Sequence, residues 1–248
     1  MLIAAAVCPH APILVPAVTG AGRPGLGDLA GLRAACDQAV AGLLGAGTDL
    51  LVIVGGSGDG RLAEYPLAAP GCLRRFGIRP DDADPATRAA VGEGGTPELP
   101  LSLTIGRWLA GRASPAPGAT RLFAIPDSAP AAGCLAAGAY LAGLAPRVAM
   151  LVMGDGSARR AQGVPGAPDP EAERYDAGVA AALATADTAA LAALDPGISA
   201  GLLAAGRAAW QVLAGAAAGR FRGEVLYAAA PFEVGYTVAT WRHGRLAD

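Results

Sequence analysis

Short, nearly continuous apolar runs alternate with longer Ala/Leu segments of helical spacing, and this rhythm constrains the fold more than any other feature of the sequence. The strand-like runs are Leu2 to Val7, Leu50 to Val54, Thr120 to Ile125, Val148 to Met153, Glu224 to Ala229 and Val234 to Trp241. Their apolar continuity predicts a sheet covered on both faces. The helical segments are Leu29 to Leu44, Leu101 to Gly111, Ala129 to Leu144, Pro170 to Ala184 and Ile198 to Ala217. In the last of these, Leu202, Leu203, Trp210 and Leu213 are expected to share one face. Between Ala63 and Pro100, six prolines punctuate the chain, and the segment reads as a long excursion over one end of the sheet, suited to a lid.

Composition removes several function classes. With 248 residues the chain can bury a sizeable core. Its 19 basic and 21 acidic residues leave a formal charge of −2, which gives no electrostatic footprint for nucleic acid or an anionic membrane. Every basic residue is Arg, so chemistry that needs a Lys Schiff base or a P-loop Lys is excluded. The uncharged N-terminal stretch lacks a positive leader and is broken by Pro9, Pro12 and Pro16, so it does not read as a signal peptide. The longest apolar stretch, Ala131 to Pro146, is too short and glycine-broken to span a membrane. A cytoplasmic protein is expected. Cys8, Cys36, Cys72 and Cys134 are widely spaced, which predicts reduced, packed thiols.

In open α/β sheets, ligands bind beyond the carboxyl ends of the strands, so the loops that leave those ends carry the functional expectation. The first strand runs into Cys8-Pro9-His10-Ala11-Pro12, where two prolines stiffen the backbone around an imidazole. Two glycine-rich loops follow later strands: Gly55-Gly56-Ser57-Gly58-Asp59-Gly60-Arg61 and Gly154-Asp155-Gly156-Ser157-Ala158-Arg159-Arg160. Their backbone N–H groups and arginines suit an anion, or they are simply tight turns with solvated arginines. Neither matches a nucleotide-binding motif. The fourth loop, Ala230 to Tyr236, joins two strand-like runs and brings Glu233 and Tyr236 to the same edge if the hairpin closes against the first strand. The returning strand carries His243 roughly 30 Å away, at ~3.3 Å per residue, to a surface position.

These loops, with Glu173-Arg174-Tyr175-Asp176, Asp187, Leu191, Leu194, Gly206 and Ala209-Trp210, resemble the class III extradiol ring-cleavage dioxygenases and the related Memo-like proteins. The likeness spans nearly the whole chain. It implies a single α/β domain with a central, mostly buried mixed sheet flanked by helices. It also implies a non-haem Fe(II), or another divalent metal, that binds a catecholate beside O₂. Carried over, His10 is the first metal ligand and Glu233 the late carboxylate. The second ligand falls in the first glycine-rich loop, where Asp59 stands in for an imidazole. The acid/base position falls near Asp155 and Ser157, with Arg159, Arg160 and Tyr236 as substrate contacts. That family's chemistry uses three imidazoles at one site, and this chain has two histidines in total.

Three readings follow. In one, an altered site of His10, Asp59 and Glu233 holds a metal and acts on a small aromatic or related acid. In another, the chain is a binding or partner subunit with no metal, assembled with its own copies or with another protein. In the third, Cys8 or Ser157 acts as a nucleophile without metal; it ranks last because Ser157 has no imidazole nearby in sequence.

Overall fold

The computed structural model describes residues 1–19, 27–58, 60, 62–78, 87–88, 97–113, 118–160 and 169–244. Among them, seven strands form one mixed sheet: β1 (Leu2–Cys8), β2 (Leu50–Ser57), β3 (Ala63–Tyr65), β4 (Thr120–Pro126), β5 (Val148–Met153), β6 (Phe221–Ala229) and β7 (Tyr236–His243). Their order is β3-β4-β2-β5-β1-β7-β6. Strands β4, β2, β5 and β1 run parallel, whereas β3 and β7 pair antiparallel with β4 and β1, and β6 returns antiparallel to β7. The fold is therefore the α/β domain with a mixed, helix-flanked sheet that the sequence leads one to expect.

Period-two alternation explains how the sheet is sealed on both sides. On one face, Ala4, Ala6 and Cys8 of β1, Leu51 and Ile53 of β2, and Ala149, Leu151 and Met153 of β5 pack together. They meet Leu32, Cys36 and Val40 of α1 (Gly27–Leu44) and Leu103 and Leu109 of α2 (Leu101–Arg112). On the other face, Leu2, Ala5, Val7, Val52, Val54, Val148, Met150 and Val152 are covered by three helices. These are α3 (Ala131–Ala142), α4 (Pro170–Thr185) and α7 (Arg207–Ala216). A Cβ at Gly138 would lie 2.0 Å from the Val212 carbonyl oxygen, and one at Gly215 would lie 2.1 Å from that of Leu135, so α3 and α7 meet backbone to backbone.

Local chemistry sets several boundaries. Helix α4 opens on Asp169, whose carboxylate accepts from the Glu171 main-chain N–H at 2.9 Å, with Pro170 at the first helical position. Asp187 and Asp195 cap α5 (Thr188–Ala192) and α6 (Pro196–Gly201) in the same way.

The single helix expected from Ile198 to Ala217 is broken. Leu203 adopts a left-handed φ of 54° and its side chain is exposed, so it leaves the face it was expected to share with Leu202, Trp210 and Leu213. The proline-rich excursion contains strand β3, and its residues Leu73, Ile78 and Leu99 are buried in the core. These described parts are packed structure, not a free loop. All four cysteines are buried free thiols, as their spacing suggests. No helix among the described residues is long and apolar enough to cross a membrane.

Candidate functional site

Register alone assembles the site. Cys8 lies opposite Met153 in the parallel β1–β5 ladder, so continuing two residues sets His10 beside Asp155. Val7 lies opposite Ala239 in the antiparallel β1–β7 pair, so the same continuation sets His10 beside Tyr236. The ladder is prolonged by the Gly154 N–H donating to the Cys8 carbonyl at 3.0 Å. Asp155, His10 and Tyr236 thus form a row across β5, β1 and β7 at the edge where the parallel strands end.

The contacts bear this out. The His10 main-chain N–H donates to Asp155 Oδ1 at 2.8 Å, and His10 Nε2 lies 3.7 Å from Asp155 Oδ2. Both side chains are largely buried, at 12% and 16% exposed. His10 Nδ1 is buried and has no hydrogen-bond partner. A buried polar atom left unmatched costs about 1–3 kcal/mol, which marks this nitrogen as the place where a partner is missing. Tyr236 is buried, and its phenol is pushed well above the usual range by burial first, then by the Asp155 and Tyr227 charges, so it stays a hydroxyl.

A second carboxylic acid joins from the end of β4. Asp127 directly follows that strand, and its main-chain N–H donates to the Ser57 carbonyl at 2.9 Å. Its carboxylate lies over the backbone of β2: a Cβ at Gly56 would be 2.1 Å from Asp127 Oδ1. The residue is exposed at the rim, yet crowding of its carboxyl raises the pKa to about 6 by desolvation, with His10 and Arg207 pulling it back down. Arg207, 2% exposed, donates to the carbonyls of Asp127 and Ala129 and to Gln211 Oε1. It braces the loop that carries Asp127.

The loop that carries Asp155 is held by Asp176 of α4, a residue with no role expected from its place in the sequence. Asp176 accepts from the Ser157 N–H through Oδ1 at 2.8 Å and pairs with Arg160 Nη1 through Oδ2 at 3.5 Å. Its carboxylate is wedged where Cβ atoms at Gly156 and Gly235 would stand, 2.5 and 2.1 Å from its oxygens. Around it, the Gly156 N–H donates to the Gly235 carbonyl at 2.7 Å and the Gly235 N–H to the Ser157 carbonyl at 2.8 Å. The Asp155 loop and the β6–β7 turn are thereby locked together.

Several expected residues take other parts. Ser157 is fully buried; its hydroxyl donates to the Leu202 carbonyl at 2.8 Å and accepts from the Arg159 N–H, so it is a loop brace and not a nucleophile. Cys8 is sealed in the core at 0% exposure. Glu233 does reach the right edge, because β6 runs parallel to β1, but its side chain is exposed and its backbone turns at φ 66°. The acid that meets His10 is Asp155, not Glu233. Arg160 and Tyr236 line one cavity of about 220 Å³ between α4 and the β6–β7 hairpin, together with Glu173 and Asp176. The Arg160 charge is already met by Asp176, so it does not stand free for a substrate carboxylate. Arg159 has a buried, unpartnered Nε. Asp59 and Arg61 lie outside the described residues. His243 stands at the far end of β7 with its ring edge-on to Phe221 at 5.2 Å.

Among the described residues, no three His, Cys, Asp or Glu side chains come together closely enough to share an ion. The orphaned His10 nitrogen asks for a partner, but the described donors around it do not make the facial set that non-haem iron requires. Asp127 was missed although the signal was present: an acid placed immediately after a strand-like run is a strand-end residue like His10 and Asp155.

No family model matches the chain, and no relative is found among curated proteins. Among solved structures, it is similar to the crystal structure of uncharacterized protein JW3007 from Escherichia coli K12. The two share 14% identity over 98% of this chain and 100% of that one, with a TM-score of 0.50. That likeness supports the fold.

Proposed function

We propose that the chain is a divergent class III extradiol dioxygenase-like protein that performs proton transfer on the hydroxyl of a small, catechol-like aromatic or related compound. The observation that carries this is the His10–Asp155 pair with its unpartnered Nδ1 at the strand-end edge. Asp155 facing Nε2 favours the tautomer with hydrogen on Nε2 and leaves Nδ1 as the base. A substrate hydroxyl brought to Nδ1 passes its proton to the imidazole, and the imidazolium so formed is stabilised by the Asp155 carboxylate. Asp127, with its pKa near neutrality, is suited to return a proton at a second position. The Tyr236 hydroxyl supplies a hydrogen-bond donor beside Asp155. The described residues do not fit a ligated metal, so no step is routed through one.

The test uses protein purified without chelator or affinity tag. Bound metal well below one per chain, unchanged in His10→Ala, is the expected result, together with binding of catechol that His10→Ala weakens. Stoichiometric metal lost in His10→Ala, or a yellow ring-fission product from catechol with Fe(II) under air, would overturn the metal-free mechanism and restore the family's iron chemistry. A wild-type protein that binds no catechol or related phenol would favour a scaffold or partner subunit, the reading that the loss of imidazoles from the glycine-rich loops also fits.

A further inference from the structure

At the opposite edge of the sheet, where β1 and β5 begin and β7 ends, lies a cavity of about 400 Å³. This is within the roughly 300–1,000 Å³ range of small-molecule pockets. It is lined by Met1, Ile3, Ala46, Arg147, Arg242 and His243. Two arginines line it, and no carboxylate is among its lining residues that the structure describes. Beside it, Asp49 accepts from the main-chain N–H of Arg147 at 3.0 Å.

Helix capping explains part of this arrangement. Arg147 Nη2 donates to the Ala46 carbonyl at 3.1 Å and Arg242 Nη2 to the Gly42 carbonyl at 2.9 Å, so both guanidiniums serve the carboxyl end of α1. Each bond uses one of the five N–H donors of a guanidinium. It also restrains each exposed side chain at one end, which lowers the entropy lost when an anion binds. Neither guanidinium forms an ion pair among the described residues. The His243 ring packs edge-on against Phe221, on the other face of β7 from Arg242, and takes no part in this grip. Two guanidiniums from two strand ends therefore border one concave space, each with further N–H donors beyond its one carbonyl bond.

We infer that this far-edge cavity is an anion site for a small phosphate-bearing molecule, gripped by the Arg147 and Arg242 forks. Two restrained guanidiniums match the several oxygens of a phosphate better than a single carboxylate, and the volume admits an attached polar group. The site is separate from the His10 edge and stands whether or not the proton-transfer reading holds.

Calorimetric titration of the full chain with inorganic phosphate and with glycerol 3-phosphate, at constant ionic strength, tests it. Saturable one-to-one binding is expected, and whichever probe binds more tightly identifies free phosphate or a phosphate ester as the source. Arg242→Gln should raise Kd by about tenfold, as loss of one charge-assisted fork implies. Ala46→Leu keeps every charge but fills the cavity and should weaken the ester at least as much, so a folding defect in the arginine variant does not protect the idea. Absence of saturable binding, equal binding of chloride, or undiminished affinity in an Arg147→Gln/Arg242→Gln double variant would overturn it.

Discussion

Replacing Asp155 separates its two tasks. The first is structural: Oδ1 accepts the His10 main-chain N–H at 2.8 Å in a partly buried setting. A hydrogen bond to a charged group contributes about 1.5–3 kcal/mol, and the unmatched N–H left behind prevents the loss from relaxing away. The imidazole contact at 3.7 Å is too long for a hydrogen bond and adds less than about 1 kcal/mol to stability. Asp155→Ala should therefore cost about 2–3 kcal/mol in urea unfolding. Asp155→Asn keeps an oxygen for the His10 N–H and should cost only about 0.5–1 kcal/mol. The second task is chemical. In the Asn variant the negative charge that favours hydrogen on Nε2 is gone and the amide NH₂ dipole facing Nε2 disfavours it there, which shifts the ring hydrogen toward Nδ1. Nitrogen-15 spectra of the imidazole should report that tautomer change, and the variant should lose proton transfer while remaining folded. An Asn variant as unstable as Ala, or one whose imidazole nitrogens resonate as in wild type, would refute the claim that Asp155 both places and polarises His10.

Two further outcomes follow from the neighbouring loops. A methyl group at Gly235 would sit 2.1 Å from Asp176 Oδ2, so Gly235→Ala should destabilise by about 1–3 kcal/mol, whereas in an Asp176→Ala background the same change should cost less than about 0.5 kcal/mol. Additive losses in denaturant unfolding would contradict the wedge. Asp127 holds its proton more tightly folded than unfolded, with a pKa of about 6 against an ordinary 3.8, so its contribution is full below pH 4 and is lost as pH rises through 6. Wild type should lose stability relative to Asp127→Asn across that window, by less than the full shift implies because the residue is exposed at the rim. A flat difference between the two proteins from pH 4 to 6 would refute the perturbed carboxyl.

What could be read from the sequence divides along physical lines. The central strands were legible because burial on both faces forces continuous apolar runs, as in Val148 to Met153, where every residue is buried. That His10 and Asp155 stand at one edge was legible because each closely follows a strand-like run, and the parallel register then made them neighbours. Ser157 was misread because a serine in a glycine-rich loop looks the same in sequence whether its hydroxyl faces solvent or a carbonyl. Only the packing of Leu202 against the loop decided it. Asp176 was invisible as a functional residue because its partners, Ser157 and Arg160, are 16–19 positions away and meet it only after α4 docks. The break at Leu203 was hidden because a leucine gives no sign that its backbone will turn left-handed.

Charge decides what kind of molecule can enter the His10 edge. Asp127 and Asp155 place two acids beside the imidazole, and Glu173 and Asp176 line the adjoining cavity. Arg160 is paired with Asp176, and Arg207 is spent on carbonyls and Gln211, so neither offers its full charge to an incoming anion. A substrate acid group approaching His10 directly would meet repulsion, whereas a phenol hydroxyl finds a base at Nδ1 and a donor at Tyr236. If the compound does carry a carboxylate, that group must point away from Asp155, and Arg159 of the Asp155 loop, whose Nε is unmatched, is the guanidinium to test as its partner. Arg159→Gln should then weaken a carboxylated catechol such as 3,4-dihydroxybenzoate several-fold more than it weakens catechol itself. Equal effects on the two would place the acid group, and the substrate's orientation, elsewhere.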